Sequence, residues 1–210
     1  MGKLVSIKKD FRWLITGVFA LMVFNLVLLL YLKTRYLKSL DILLQQLILS
    51  SKSDIRSQFY YVVFFFSDFG VTFALTIITA ISVWQISKQT KPALWIVFSI
   101  LSGKVLVLLA NYFFQQLFFK KTFKLDLINE HILLSTVFFL IILVVILPEL
   151  QDQKTQFLTI LADVIWLSVV IVAQLYIRSS SITEVLLSLT LAIVWWEALR
   201  IIWFYNICCW

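Results

Sequence analysis

The sequence predicts an all-α, polytopic membrane protein with six transmembrane helices and an interfacial amphipathic helix between the first and second. Of its 210 residues, 62% are hydrophobic and only 14% are charged, and a soluble domain of this length would have too few polar residues to cover its surface. The chain has 4 glycines and 2 prolines, which disfavours a β-rich or loop-rich fold. Apolar and polar residues do not alternate in repeated strand-length segments, as they do in a transmembrane barrel. We therefore expect residues 1–210 to form a single membrane domain.

Each transmembrane helix needs about 20 mostly apolar residues, because an α-helix rises about 1.5 Å per residue. The stretches that qualify are 13–32, 59–85, 93–119, 131–148, 156–177 and 184–207. The fourth is the shortest, whereas the second and third are long enough to tilt or to extend beyond the hydrocarbon. All six are expected to be helices, because lipid offers no partner for backbone polar groups.

The amphipathic helix is predicted over residues 36–51. Its apolar residues recur at the three-and-four spacing of a helix, and its polar residues fall elsewhere around the axis. The apolar set is Leu37, Leu40, Leu44, Leu47 and Ile48, and the polar set is Lys38, Asp41, Gln45 and Gln46. No connecting segment is long enough to form an extramembrane domain.

The net charge of +7 points to anionic lipid headgroups as partners rather than to nucleic acid, since most Lys and Arg residues lie between apolar stretches. The basic N-terminal tail favours a multi-pass plasma-membrane protein with both termini in the cytoplasm. That orientation puts seven cations inside, namely Lys3, Lys8, Lys9, Arg12, Lys88, Lys91 and Lys154. It puts nine outside, namely Lys33, Arg35, Lys38, Lys52, Arg56, Lys120, Lys121, Lys124 and Arg178. This excess of Lys and Arg on the outer side is the reverse of the usual excess on the cytoplasmic side. An anionic ligand on the outer side would explain it.

Five charged residues fall within the predicted spans, where charges usually pair or serve a site. They are Asp68, Lys104, Asp163, Glu197 and Arg200. Glu197 and Arg200 have the spacing of a pair on one helix, and Asp163 lies at a similar depth and is placed to join them. Asp68 is placed to pair with Lys104 across the second and third spans. The adjacent Cys208 and Cys209 form neither a disulfide framework nor a metal site, so no metal or cofactor is expected.

Three polar segments follow one another along the later spans: "KVLVLLANY" (104–112), "INEH" (128–131) and "AQLYIRSSSITE" (173–184). Their order resembles that of the motifs K-x-x-x-x-x-x-R-P, P-S-G-H and S-R-x-x-x-x-x-H-x-x-x-D. Those motifs belong to the type-2 phosphatidic-acid phosphatases, a family of six-span lipid-phosphate phosphatases. The resemblance covers roughly residues 59–207 and implies that fold.

Residue by residue, most motif letters differ from those of the family. Lys104 and His131 match, Asn111 and Gln174 stand where arginines are expected, Ser180 replaces the attacking histidine, and Glu184 replaces the aspartate. In the family one histidine attacks the phosphorus while the other protonates the leaving oxygen. His131 is the only histidine in this chain, so that mechanism cannot operate. Glu130 also puts a negative charge where the phosphate is expected.

The resemblance therefore implies a catalytically inactive member of the family, with a degenerate site at His131, Ser180 and Glu184. It implies that a lipid phosphate binds there, or that the chain is a membrane subunit or regulator in envelope lipid metabolism. The implied ligand-binding residues are Lys104, Asn111, His131, Gln174 and Arg178. This hypothesis predicts that Lys104, His131, Ser180 and Glu184 converge beneath the outer interface.

Two other functions stay open at this point. One is an active phosphatase with a site rearranged around His131, Lys104 and Glu184. The other is a small transporter subunit, in which the five intramembrane charges line a central polar cavity. Structural interpretations also stand beside the functional ones. His131 suits a helix start with Asn129 or Asp126 as the N-cap, and Arg178 is placed to pair with Glu184.

Overall fold

The computed structural model of the protein describes residues 17–25, 54–118, 127–177 and 180–208, with the isolated positions 39, 42, 43 and 46. All regular secondary structure in these ranges is helical. The main helices are α1 (Asp54–Phe66), α2 (Phe69–Ser87), α3 (Thr90–Phe118), α4 (Glu130–Ile141), α5 (Gln153–Ile177) and α6 (Ile182–Cys208). Two short turns continue α4, a π-helical turn at Ile142–Ile146 and a 3₁₀ turn at Leu147–Glu149.

Five helical segments in the described residues are long and apolar enough to cross a membrane, which confirms the predicted membrane character. They are Phe69–Ser87, Thr90–Gln116, Glu130–Glu149, Gln153–Ile177 and Ile182–Trp203. The first predicted span, 13–32, and the interfacial helix, 36–51, fall mostly outside the described residues. The count of six spans and the interfacial helix therefore stay predictions.

The second predicted stretch, 59–85, is divided between α1 and α2 instead of forming one helix. Asp68 separates them, with a backbone (φ −63°, ψ 151°) that is extended rather than helical. Its carboxylate accepts a hydrogen bond from the N–H of Gly70 at 3.2 Å and so caps the start of α2. The sequence predicts a single helix here because apolar residues continue on both sides of Asp68. The division occurs because an aspartate at the N-cap satisfies backbone N–H groups that the first turn of a helix leaves without partners.

The central helix is α4, which packs against α2, α3, α5 and α6. Residues 131–137 are all buried, so the first two turns of α4 have no side facing lipid, as expected for a core helix. Helix α1 packs on α5, where Tyr60 meets Tyr176 and Val63 meets Val170 and Ala173. These pairings make α1 antiparallel to α5.

Successive spans reverse direction, so α4 and α6 begin at the end of the bundle toward which α3 and α5 run. We call this the polar end. It comprises the α1–α2 junction at Ser67–Gly70, residues 104–111, residues 127–131, and the segment 174–188. The start of α4 is level with residues 104–111 of α3, which continues beyond it to Phe118. The opposite end holds the connections at 88–89 and 150–152.

Candidate functional site

Asn129 is the centre of the polar end and the N-cap of α4. Its Oδ1 accepts a hydrogen bond from the N–H of Ile132 at 3.3 Å, which confirms one of the two predicted caps. Its Nδ2 donates to Gln174 Oε1 at 3.0 Å and to Ser180 Oγ at 3.1 Å. Its backbone N–H donates to Ser188 Oγ at 2.8 Å. One buried side chain thus ties the start of α4 to the end of α5 and the start of α6.

Asn111 holds the residue before this cap. Its Nδ2 donates to the carbonyl oxygen of Ile128 at 3.1 Å, and its Oδ1 accepts from the N–H of the same residue at 2.9 Å. Both backbone polar groups of Ile128 are therefore satisfied by a single amide. The amide of Asn111 is thus engaged with the protein's own backbone, at the position where the resemblance implies a phosphate ligand.

Lys104 pairs with Glu130, the first residue of α4. Its Nζ also lies 5.1 Å from the centre of the Phe69 ring. Both charged side chains stay partly exposed, at 28% for Lys104 and 24% for Glu130. The predicted pairing of Lys104 with Asp68 is wrong, because the Asp68 carboxylate caps α2 and Lys104 forms its ion pair with Glu130. The cation of the site is thus accessible but already neutralised by a neighbouring carboxylate.

His131 contacts the break between α1 and α2. Its Nδ1 lies 3.0 Å from the carbonyl oxygen of Ser67 and 3.3 Å from Ser67 Oγ. Because a carbonyl oxygen only accepts, Nδ1 carries the proton in this contact. The ring of Phe64 lies 4.5 Å away, centre to centre. The imidazole is buried and anchors α4 to the α1–α2 junction, which is a structural role independent of catalysis.

Gln174 is fully buried, and its Nε2 has no hydrogen-bond partner among the described residues. Its Oε1 is committed to Asn129, which fixes the orientation of the amide. A buried hydrogen-bond donor that has no acceptor costs about 1–3 kcal/mol of stability. An acceptor from outside the described residues would therefore be favoured beside this atom. Ser180 Oγ is held by an amide group, and not by a general base, in the described part of the chain.

Glu184 lies in the first turn of α6, which begins with a serine cap. Ser181 Oγ accepts from the backbone N–H of Glu184 at 3.2 Å, and the sequence Ser-x-x-Glu is that of a capping box. The carbonyl of Glu184 accepts from Ser188 Oγ at 2.7 Å, so its backbone is linked to Asn129 through Ser188. Arg178, the remaining predicted ligand, lies outside the described residues.

The predicted pair on α6 is confirmed, since Arg200 Nη1 donates to Glu197 Oε1 at 2.8 Å. Asp163 was expected to join this pair. In the described residues, however, Asp163 Oδ2 is buried and has no hydrogen-bond partner. Neither Asp68 nor Lys104 belongs to that pair, because both are engaged at the polar end.

Three serines of the polar end were not identified from the sequence. Ser67 contacts His131, Ser188 accepts from Asn129, and Ser181 caps α6. The capping box at 181–184 was a usable signal for the last of these. The contacts of Ser67 and Ser188 join residues 64 and 59 positions apart, so they depend on packing that no local pattern encodes.

In the described part of the chain, no group of three or more His, Cys, Asp or Glu residues is placed to hold a metal ion. In comparisons with known proteins, the chain matches no family model, no curated protein and no solved structure.

Proposed function

We propose that this chain is a catalytically inactive membrane protein of the lipid-phosphate phosphatase fold that binds a lipid phosphate at its polar end. Its location is the plasma membrane, with both termini in the cytoplasm and the polar end facing outward. In the sequence, Lys120, Lys121 and Lys124 lie between α3 and α4, and the predicted orientation assigns them to the outer side. These cations favour an anionic headgroup at this surface.

The observation that carries the proposal is the convergence of four candidate residues on three consecutive residues. Asn111 contacts Ile128, Gln174 and Ser180 contact Asn129, and Lys104 contacts Glu130. These candidates come from positions far apart in the chain, so their meeting requires the helices to pack in one particular way. The partly exposed ammonium of Lys104 is the donor that suits a phosphate oxygen.

Inactivity follows from the chemistry of the residues present. Phosphoryl transfer through a phosphohistidine needs an attacking histidine and a separate proton donor, and the chain has one histidine. That histidine uses Nδ1 to contact Ser67. Ser180, at the position of the nucleophile, is bonded to the Asn129 amide.

The test is native mass spectrometry of the protein in a neutral detergent with added phosphatidic acid or phosphatidylcholine. We expect wild-type protein to retain phosphatidic acid in preference to phosphatidylcholine. Lys104→Ala removes the partly exposed cation and should weaken phosphatidic acid binding about tenfold or more, since a hydrogen bond to a charged group contributes about 1.5–3 kcal/mol.

Lys154→Ala is the matched control, because Lys154 lies near the start of α5 at the opposite end of the bundle. It should leave phosphatidic acid binding unchanged. Equal binding of the two lipids, or equal losses in the two variants, would contradict the proposed site. Release of phosphate from the added lipid, abolished in His131→Ala, would show instead an active enzyme with a rearranged site.

A further inference from the structure

Lys104 has acidic neighbours in the described part of the chain. Its ammonium pairs with Glu130 and lies 5.1 Å from the centre of the Phe69 ring. Asp68 immediately precedes Phe69, and it is exposed. We call Asp68, Lys104 and Glu130 the charged cluster. With two carboxylates and one ammonium, its three side chains carry a net charge of −1.

Both members of the ion pair are accessible to a ligand. The side chain of Lys104 is 28% exposed and that of Glu130 is 24% exposed. An ammonium donates three hydrogen bonds and a carboxylate accepts about four, so the single contact between Nζ and Oε1 does not saturate either group. A ligand can therefore contact the cation and the anion of the pair together.

The charged cluster lies below the level at which α5 ends. Tyr60 of α1 meets Tyr176, the last residue but one of α5. Helix α1 continues for six more residues to Phe66, which is about 9 Å further from that end of α5, and Asp68 follows. Backbone that is not helical is tolerated at membrane depth where it is buried in protein or lines a polar space. Because Asp68 is exposed, the second condition applies, and polar groups must reach this depth.

The arrangement of charges restricts what those polar groups can be. A ligand with only negative charge would be attracted by Lys104 and repelled by both carboxylates, and a simple cation would be repelled by Lys104. A headgroup that carries one charge of each sign can place each charge beside its opposite. A zwitterion is therefore the ligand class that the charged cluster opposes least.

We propose that the ligand of this site is a zwitterionic phospholipid headgroup with a primary ammonium group, of the phosphoethanolamine type. Its phosphate accepts a hydrogen bond from Lys104, and its ammonium donates to Glu130. A quaternary ammonium such as that of choline has no N–H to donate, so Glu130 discriminates against it. This inference rests on the proposed lipid-phosphate binding at the polar end and names the class of headgroup that binds there.

The test is native mass spectrometry of the full-length protein in a neutral detergent with three lipids of identical acyl chains. They are phosphatidylethanolamine, phosphatidylcholine and phosphatidylethanol, which has the same phosphodiester and two-carbon group but no ammonium. We expect phosphatidylethanolamine to bind wild-type protein about tenfold more tightly than either of the others, in keeping with one added hydrogen bond between charged groups. Equal binding of phosphatidylethanolamine and phosphatidylethanol would overturn the inference, and this comparison does not depend on how any variant folds.

Glu130→Gln should change the affinities of two lipids in opposite directions. Phosphatidylethanolamine should bind about tenfold more weakly, because its ammonium loses the carboxylate, whereas phosphatidylethanol should bind several-fold more tightly, because its phosphate loses a repulsion. Misfolding would weaken both. Glu149→Gln is the matched control, since Glu149 is an exposed carboxylate near the opposite end of the bundle, and it should leave both affinities unchanged. A parallel change of the two lipids in Glu130→Gln would contradict the role of Glu130.

Lys104→Ala separates this inference from the proposed function on which it rests. If Lys104→Ala weakens all three lipids but wild type shows no preference for the primary ammonium, a phosphate site exists and the headgroup assignment is wrong. If Lys104→Ala leaves all three unchanged, the phosphate site itself is wrong. Soluble phosphoethanolamine at the same concentration should not displace phosphatidylethanolamine, because it lacks the acyl chains. Its displacement of the lipid would identify a soluble ligand and overturn the assignment to a lipid.

Discussion

At the scale of single residues, the side chain of Asn129 links three helices at the polar end by hydrogen bonds. It is 2% exposed, and its side chain contacts the backbone of α4, Gln174 of α5 and the serine that precedes α6. A residue of this kind positions its neighbours and binds no ligand itself, because its amide hydrogens and its oxygen are already committed. Among the described residues that converge here, Lys104 keeps its charged donor partly exposed and within reach of a ligand.

Asn129→Ala should lower the free energy of unfolding by about 2–4 kcal/mol. Losing the cap costs about 1 kcal/mol, and leaving buried partners unsatisfied costs about 1–3 kcal/mol more. Denaturant titration in detergent, followed by tryptophan fluorescence, measures the change. The control Ser82→Ala removes an exposed hydroxyl bonded within its own helix, so it should shift stability by under about 0.5 kcal/mol. Equal effects of the two variants would show that Asn129 does not hold the three helices together.

Glu130 competes with an anionic ligand for Lys104. Its carboxylate pairs with the ammonium and repels a phosphate brought to the same place. Glu130→Gln keeps the size of the side chain and removes the charge, so phosphatidic acid should bind several-fold more tightly than to wild type. A titration of phosphatidic acid followed by native mass spectrometry measures this change. Weaker binding in Glu130→Gln would mean that Glu130 supports the ligand instead of opposing it.

At the scale of elements, four helices begin with an N-capping side chain. Asp68, Asn129, Asp152 and Ser181 each accept a hydrogen bond from a backbone N–H of the helix that follows. These short polar residues fix where α2, α4, α5 and α6 begin. Three of these helix starts, those at Asp68, Asn129 and Ser181, lie at the polar end.

The cap of α5 should respond to acid. The side chain of Thr155, and then the backbone N–H of Lys154, donate to Asp152 and hold the pKa of its carboxyl below the ordinary value of 3.8. A lowered carboxyl pKa means that the cap stabilises the helix fully above that ordinary value and loses its effect as the pH falls below it. Hydrogen exchange in the first turn of α5, corrected for the intrinsic rate, should speed up on acidification from pH 5 to pH 3.

Asp152→Asn serves as the comparison for that measurement. Asparagine still caps the helix but does not ionise, so the acid-induced loss of protection in the first turn should disappear. If the variant lost protection over the same pH range as wild type, a group other than Asp152 would be responsible.

At the scale of the whole molecule, hydrophobic length predicted most of the architecture. The stretches 93–119, 131–148, 156–177 and 184–207 correspond to the last four segments able to span a membrane, because about 20 apolar residues leave few alternatives to a transmembrane helix. The break at Ser67–Asp68 was not predicted, since hydropathy averages over a polar pair. It takes the cap of Asp68 to show where one helix ends and another begins.

The candidate site was predictable only in part, for a related reason. Lys104, Asn111, Gln174 and Ser180 were selected by their order along the chain, and packing brings them to residues 128–130. The partner of Lys104 was mistaken, because the choice between Asp68 and Glu130 depends on which helix start lies beside α3. Atoms such as Gln174 Nε2 and Asp163 Oδ2, which have no hydrogen-bond partner in the described residues, can be identified only from the packed structure.

Headgroup binding at the polar end is tested most directly by mapping where a lipid phosphate crosslinks. Phosphatidic acid with a photoreactive group near its phosphate is incubated with the protein in nanodiscs, irradiated, and located by peptide mass spectrometry. We predict adducts in residues 104–111, 127–131 and 174–188, reduced by an excess of unlabelled phosphatidic acid but not by phosphatidylcholine. Adducts confined to the opposite end, at residues 88–91 and 149–154, or adducts insensitive to phosphatidic acid, would contradict lipid-phosphate binding at the polar end.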